Sequence, residues 1–392
     1  MPQNPTAQGS TPLGSLFVIL VALTFSLAWG VLISVPGVAF PDEYALPIPA
    51  EVLPPLIPDD NPLSAAKVEL GQKLYFDPRL SVDNTVSCAT CHDPRKGFAD
   101  GKPVGEGVKQ QKGARNSPTV LNAAYYEQQF WDGRAEMLED QAVLPLINPI
   151  EMAMPSHGAV EDKLRKLPEY PPLFRKAFGK PEITISRVGQ ALASFERTLV
   201  SFSAPIDRFL KGDKSAISES AQRGWTLFNG KARCNTCHGH VGSVPTFTDN
   251  KYHNIGVGAK QRDFSALARE TQQALQKGDR KIIDELALKP HVSELGRFLV
   301  TKEQKDLGAF KTSGLRNVEL TAPYMHDGSE ATLLAVIDFY DRGGENNPFL
   351  DGGMRPLGLN DQQKSDLVEL MKTFTSDDLK RFDALKSLMP AQ

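Results

Sequence analysis

The chain has 392 residues, of which 41% are hydrophobic and 23% charged, a composition typical of globular proteins long enough for two or three domains. Its formal net charge of -3 at pH 7 leaves no basic excess to neutralise phosphates. Nucleic-acid binding therefore has no electrostatic support.

The first predicted element is an uncharged stretch over residues 13–40. Within it, Leu16–Val35 reaches about the 20 apolar residues that span a bilayer as a helix. Its length favours an uncleaved membrane anchor, whereas Gly37 and Ala39 permit cleavage of a signal peptide before Phe40. Both alternatives stay open, and either one exports the rest of the chain.

Residues 41–62 follow as a proline-rich stretch that cannot form a regular helix. This composition predicts a linker, or an arm that lies over the folded body.

The four cysteines form two copies of a Cys-x-x-Cys-His string, namely Cys88-Ala-Thr-Cys91-His92 and Cys234-Asn-Thr-Cys237-His238. Two thiols at this spacing can add to the two vinyl groups of one haem, and the adjacent histidine then lies under the iron. A repeated Cys-x-x-Cys is also a zinc signature, but the histidine that closes both copies argues against zinc. We therefore expect two covalently bound haem c groups, which places the body in the periplasm because haem c is attached outside the cytoplasm.

Apolar residues at helical spacing over 64–76 and 221–228 precede the two haem motifs. The similar helix ends, which contain Gly71 and Gly224, make an internal repeat. The repeat predicts a mainly α fold of two tandem class I cytochrome c-type domains with long loops, at residues 63–208 and 209–392. We expect further helices at 185–199, 332–340 and 361–374, and we interpret the polar, helix-prone residues 261–289 as a surface insertion.

The function depends on whether either iron has an open sixth position, because a haem with both axial positions filled is an electron carrier. No histidine occurs in residues 98–113, the loop that follows the first motif.

Over about residues 62–385 the sequence strongly resembles the bacterial dihaem cytochrome c peroxidases and the related MauG enzymes. The strings that carry the resemblance are Leu315-Arg-Asn-Val-Glu-Leu-Thr-Ala-Pro-Tyr-Met-His-Asp-Gly328, Ala114-Arg-Asn-Ser-Pro-Thr119, Phe130-Trp-Asp-Gly-Arg134 and Asn148-Pro-Ile-Glu151-Met152. The resemblance implies a haem peroxidase, an oxidoreductase that acts on hydrogen peroxide.

The resemblance makes His92 the proximal ligand of the haem that reacts with peroxide. Many dihaem peroxidases block this haem with a loop histidine at rest, so the absence of one here implies an open site and fits the MauG branch. Gln141, Pro145 and Glu151 match the positions around the open face. We expect Glu151 to be the general acid–base and Gln141 its polar helper, because cleavage of an O–O bond moves a proton between the two oxygens. The alternative is that Glu151 only caps or solvates a helix end.

The second haem is held by His238, and its sixth ligand separates the two branches of the family. Fourteen residues after His326 the peroxidases have a methionine and the MauG enzymes a tyrosine; here that residue is Tyr340. A phenolate favours oxidised iron, so this haem is expected to store oxidising equivalents. The alternative is that Tyr340 is a core aromatic and that Met325 or Tyr324 is the ligand.

Two further sets of positions match the family. Trp131 matches a tryptophan between the haems that relays electrons, although an ordinary buried indole is the alternative. Asn116, Thr321 and Pro323 match a calcium site between the domains, the last two through backbone carbonyls. Ordinary loop and turn residues are the alternative for these three.

We therefore expect a MauG-like enzyme that reduces H2O2 at the first haem and oxidises a partner protein through the second. MauG itself has a surface tryptophan at the position of Ala232, which argues against methylamine dehydrogenase and leaves a different protein substrate. One alternative is a detoxifying cytochrome c peroxidase supplied with electrons by a small cytochrome or cupredoxin. The other is a non-enzymatic electron-transfer cytochrome.

Overall fold

The computed structural model describes residues 44–240, 242, 244–260, 262–276 and 280–389, without the side chain of Arg280. The predicted export segment lies outside the described residues. Among the helices within these ranges, none combines the length and the apolar character that crossing a membrane requires.

Helices and long loops make up nearly all of the described chain. The α-helices are α1 Ala65–Phe76, α2 Cys88–Cys91, α3 Leu138–Ile147, α4 His157–Arg165, α5 Tyr170–Phe178, α6 Ile185–Glu196, α7 Pro205–Leu210, α8 Glu219–Asn229, α9 Phe264–Gln276, α10 Arg280–Ala287, α11 Pro290–Ser293, α12 Phe298–Thr301, α13 Leu333–Asp341, α14 Asp361–Lys372 and α15 Asp383–Lys386. Two short strands, β1 Tyr252–His253 and β2 Phe310–Lys311, pair antiparallel. The predicted helices are confirmed, with their ends shifted by up to three residues.

Each half is built on two helices that cross at a glycine. A Cβ added to Gly71 of α1 would lie 1.9 Å from the carbonyl oxygen of Ala191 in α6, and one on Gly224 of α8 would lie 2.1 Å from that of Asp366 in α14. No side chain fits at either crossing, which explains the glycines of the internal repeat. The mainly α fold of two tandem c-type domains is thus confirmed.

A separate hydrophobic core lies under each crossing. The first core includes Leu70, Leu74 and Leu192, all fully buried. The second is rich in aromatic rings, with Phe247 stacked on Phe374 at 4.5 Å between ring centroids. Each core packs beside one haem-attachment motif, because Cys88 contacts the first and Cys234 contacts the second.

Residues 44–62 contain no helix and lie against the folded body. Arg197 donates a hydrogen bond to the carbonyl of Leu56 at 3.2 Å, and Arg381 donates one to that of Pro47 at 3.1 Å. Asn61, at the end of the stretch, donates to the Glu139 carboxylate at 2.7 Å. The stretch therefore contacts the body at several points rather than extending freely into solvent.

The segment that we interpreted as a polar surface insertion is helical, as predicted, but it packs more than its composition indicates. Apolar residues of α9 and α10 join residues 292–307 in a third core, which includes Phe264, Leu275, Leu286 and Leu299. The polar residues occupy the outer faces of these amphipathic helices, so the average composition concealed the buried face. Asp284 of α10 also reaches Arg134 of the first half at 2.8 Å.

Candidate functional site

One cavity of about 610 Å³ is lined by residues of both Cys-x-x-Cys-His motifs. His92 and His238 both face it. The predicted residues Asn116, Trp131, Gln141, Glu151, Thr321, Pro323 and Tyr340 also line this cavity. The fold therefore brings these positions together, although they are spread over more than half of the chain.

The two motif histidines are suited to bind iron. Nδ1 of His238 lies 2.9 Å from the carbonyl oxygen of Phe247, a contact that fixes the proton on Nδ1 and leaves Nε2 as the metal ligand. Nδ1 of His92 is buried without a hydrogen-bond partner among the described residues, although the carbonyls of Phe98 and Pro118 lie near the ring. Burial lowers the pKa of both imidazoles, which keeps them in the neutral form that binds metals.

The motif cysteines form no disulfide. Burial raises the pKa of the Cys234 thiol to about 12, so it would be inert as a free nucleophile. The spacing of the two thiols and the histidine in each motif, with both histidines at the cavity, fits two haem c groups.

A turn after α3 positions Glu151 beside the first motif. Gln141 and Pro145 are one helical turn apart and lie on one face of α3. The side chain of Asn148 accepts a hydrogen bond from the backbone N–H of Ile150 at 2.9 Å and donates one to Oε1 of Glu151 at 2.8 Å. The Glu151 carboxyl group is thereby held at the cavity wall.

The electrostatic environment of Glu151 favours its protonated form. Burial raises the pKa of the carboxyl group, against the opposing charge of Arg134. Residues 98–113 pack directly on the turn, where the N–H of Val108 donates to the carbonyl of Glu151 at 2.9 Å. A Cβ on Gly107 would lie 2.0 Å from the carbonyl oxygen of Ile150, so a glycine is needed at this contact. The loop therefore covers part of Glu151, which is half-buried.

Tyr340 of α13 lines the cavity beside the second motif. Burial raises the pKa of its hydroxyl, and the thiol groups of Cys237 and Cys234 raise it further. Its phenol group is thus within electrostatic reach of both cysteines. Met325 and Tyr324 line the same cavity, and Met325 has a left-handed backbone with φ of 72°.

Trp131 is held between the two halves by contacts at both ends. Its indole N–H donates to the carbonyl of Asn116 at 2.9 Å, and its own carbonyl accepts from the N–H of Lys311 at 2.8 Å. The edge of the ring faces His326 at 6.4 Å between centroids. The indole therefore has a fixed orientation.

His326 is buried and lies beside the carboxylate of Glu294. Its Nε2 lies 3.0 Å from Glu294, and its ring stacks on Phe310 at 3.5 Å. Its carbonyl accepts from the N–H of Asn116 at 2.7 Å. His326 therefore links the Trp131 region of the first half to the second half.

A buried ion cluster that the sequence did not reveal supports the same region. Asp132 is completely buried and pairs with Arg115 at 2.7 Å and Arg134 at 3.0 Å. Burial alone would raise the pKa of Asp132, but the two guanidinium groups hold it well below its usual range. The motif strings contain these charges, but nothing in the sequence indicates that they pair.

The three residues of the expected calcium site also lie together. The side-chain amide nitrogen of Asn116 lies 2.8 Å from the carbonyl oxygen of Lys102 and 3.4 Å from that of Pro323. The peptide bond between Ala322 and Pro323 is cis. Carbonyl oxygens from both halves therefore converge around Asn116.

Two c-type domains whose attachment motifs face one cavity define a dihaem c-type cytochrome. A family model described as di-haem cytochrome c peroxidase matches residues 65–215. The chain is 41% identical over 321 residues to the methylamine utilization protein MauG of Methylorubrum extorquens, covering 82% of this chain and 81% of that protein. It is 34% identical to the cytochrome c551 peroxidase of Nitrosomonas europaea, covering 91% of this chain and 92% of that protein.

Among solved structures, the chain is similar to a MauG-like protein associated with microbial copper homeostasis, with a TM-score of 0.71 and 30% identity. The match covers 86% of this chain and 97% of that one. The chain therefore belongs to the di-haem cytochrome c peroxidase family. It is a haem peroxidase with two haem c groups, as the sequence predicted.

Family membership argues against a separate metal site at Cys237. Ligand atoms of Cys237, Asp249 and His253 lie within 4.8 Å of one another. Since haem attachment converts the Cys237 thiol to a thioether, the anionic sulfur that a metal would need is not available.

Proposed function

We propose that this chain reduces hydrogen peroxide in the periplasm at the haem bound by His92. His238 and Tyr340 would hold a second haem, which would supply a route for the two oxidising equivalents to a partner protein, as in the MauG branch. The observation that carries the proposal is the half-buried Glu151 carboxyl group, which is held at the cavity beside the His92 motif under a loop without histidine.

The haem supplies the redox-active metal for cleavage of the O–O bond, and the protein supplies the proton transfers. Glu151 takes a proton from one peroxide oxygen and returns it to the other. A raised pKa suits this task because the carboxyl group must exchange a proton readily near neutral pH. Gln141 of α3 lines the same cavity, and its amide group orients the peroxide.

Tyr340 is the proposed sixth ligand of the haem bound by His238. Burial disfavours an ionised phenol, but a bound ferric ion would supply the opposite charge and stabilise the phenolate. The phenolate in turn favours the oxidised haem. Trp131 couples the two haems, and its fixed orientation supports a relay that needs little rearrangement.

Calcium is the proposed ion between the domains. Its ligands would be the side-chain oxygen of Asn116 and the carbonyls of Thr321 and Pro323, with water completing the shell. The amide group of Asn116 already lies among carbonyl groups of both halves, and reversing it would turn its oxygen towards Pro323.

A detoxifying cytochrome c peroxidase is the second candidate, in which a small cytochrome or cupredoxin donates the electrons. It is supported by the similarity to the cytochrome c551 peroxidase of Nitrosomonas europaea over nearly the whole chain. The loop without histidine and the tyrosine at position 340 favour the MauG-like alternative.

The test is electron paramagnetic resonance with optical spectroscopy on the purified diferric protein, before and after one equivalent of H2O2. We expect one high-spin five-coordinate haem and one low-spin haem, with both signals lost after peroxide is added. Reactivity only after one-electron reduction would instead indicate the ordinary peroxidase, and two unreactive low-spin haems would indicate an electron carrier.

Two variants decide the sixth ligand of the second haem. Tyr340→Phe should convert the low-spin signal of this haem to a high-spin signal, whereas Met325→Leu should leave the low-spin signal unchanged. The reverse result would assign the ligand to Met325.

A further inference from the structure

Glu196 is a buried carboxyl group that the proposed mechanism does not use. It is the last residue of α6, and it lines the cavity with only 5% of its surface exposed. Its Oε2 atom has no hydrogen-bond partner in the part of the chain that the structure describes. An ionised carboxyl group in this position costs desolvation free energy, so we expect the side chain to stay uncharged.

The neighbouring cation does not neutralise Glu196. Arg197 makes two hydrogen bonds to Glu139 of α3, at 2.6 and 2.9 Å, and a third to the carbonyl of Leu56. The side chains of consecutive helical residues point in different directions, so Arg197 binds Leu56 and Glu139 while Glu196 faces the cavity. Glu196 is therefore left without a charge partner.

The groups that face Glu196 place it beside the first haem-attachment motif. From α1 and α2, Tyr75 and Cys88 interact with it electrostatically; Cys88 becomes an uncharged thioether once haem is attached. From α3 and α6, only the mutually paired Glu139 and Arg197 contribute charge. The hydroxyl of Tyr75 donates to the carbonyl of His92 at 3.1 Å. The carboxyl group thus lies next to the structure that holds the proximal ligand.

We propose that Glu196 exchanges a proton in step with the oxidation state of the haem bound at His92. When this haem loses one electron to an acceptor such as peroxide or an electrode mediator, the O–H bond of the carboxyl group breaks. The bonding electrons stay on the carboxylate and the proton leaves to solvent, so the charge of the buried site is unchanged. The inference rests on the proposed haem at His92 but not on the identity of the oxidant.

The physical reason is that the Oε2 atom of Glu196 has no hydrogen-bond partner among the described residues, while the neighbouring Arg197 is bound to Glu139. Burial raises the pKa of Glu196 to about 8 against the opposing charge of Arg197, so the side chain is mostly protonated at neutral pH. A positive charge gained by the nearby haem favours the ionised carboxylate and lowers this pKa. Between the two pKa values, oxidation of the haem therefore releases one proton.

The test is a spectroelectrochemical titration of the holoprotein at several pH values. In the wild type we expect the midpoint potential of the His92 haem to fall with pH, with a slope that approaches one proton per electron below about pH 8. Glu196→Gln should flatten this slope, and Glu196→Asp should retain it. Glu182→Gln, at an exposed carboxylate of the same half, is the matched control that should behave as the wild type.

Glu151→Gln is titrated in parallel, because Glu151 is the other cavity carboxyl group with a raised pKa. A slope that is lost in Glu151→Gln but kept in Glu196→Gln would overturn the inference. So would an identical slope in all the variants, which would make Glu196 a permanently neutral structural group.

Infrared difference spectra of the wild type test the same point without a substitution. With 13C-labelled glutamate, oxidation of the haem should remove a carboxylic acid C=O band that shifts with the label. No such band would refute the inference. These measurements use no peroxide, so a protein that failed the peroxide test could still show the coupling, and the two failures are distinguishable.

Discussion

Replacing Asp132 by Asn removes the anion that bridges two largely buried arginines while keeping the shape of the side chain. Arg115 and Arg134 contact Asp132 at 2.7 and 3.0 Å, and their side chains are only 9% and 10% exposed. Breaking a buried ion pair by removing one partner costs about 3–5 kcal/mol, because the remaining charge is left uncompensated. We expect a loss in this range, reduced in part because Arg134 keeps its contact with Asp284.

The assay is guanidinium denaturation of the holoprotein, followed by circular dichroism and by haem absorbance. Asp377→Asn is the matched control, because its partner Arg208 is about half exposed and such surface pairs contribute at most about 1 kcal/mol. The two variants should differ by several-fold in their loss of unfolding free energy. A loss below about 1 kcal/mol in Asp132→Asn would refute the reasoning that removing this anion leaves buried arginine charge uncompensated.

Three further predictions address the site and the fold. Glu151→Gln should slow the stopped-flow reaction with peroxide by about 10²–10⁴-fold. Because the base must be ionised, the wild-type rate should rise as the pH passes the raised pKa of Glu151, and this rise should be absent from the variant. A variant that keeps the rise would show that Glu151 is not the base. Tyr340→Met should raise the midpoint potential of the second haem, whereas an unchanged potential in redox titrations would remove Tyr340 as its ligand. Gly71→Ala should lower the free energy of unfolding by about 1–3 kcal/mol through overpacking, whereas Gly158→Ala, with no atom closer than 3.8 Å, should be neutral or raise it; equal effects in thermal denaturation would contradict the helix-crossing argument.

Local patterns were the part of the structure that the sequence could reveal. The Cys-x-x-Cys-His strings place thiols and ligand within one turn, so their chemistry depends on spacing alone. Helices such as α6 and α14 follow from apolar residues at helical spacing. The glycines of the repeat were visible, but their purpose became clear only when Gly71 was seen against the backbone of Ala191.

Long-range pairing was the part that the sequence could not reveal. His326 meets Glu294, and Arg115 meets Asp132, only because the chain folds back across the cavity. Glu196 sits at the end of an apolar helix, where a charged residue normally marks the exposed face. Its burial depends on the packing of α6 against α3, which no local pattern encodes.

The glycine crossings also set the order in which each half can be completed during synthesis. In both halves the first helix of the crossing precedes the haem motif, and the second helix follows it far along the chain. A chain synthesised from its N-terminus therefore presents each pair of thiols before the helix that closes the domain has been made. The order of the elements along the chain therefore makes each pair of thiols available before the helix crossing of its own domain can form.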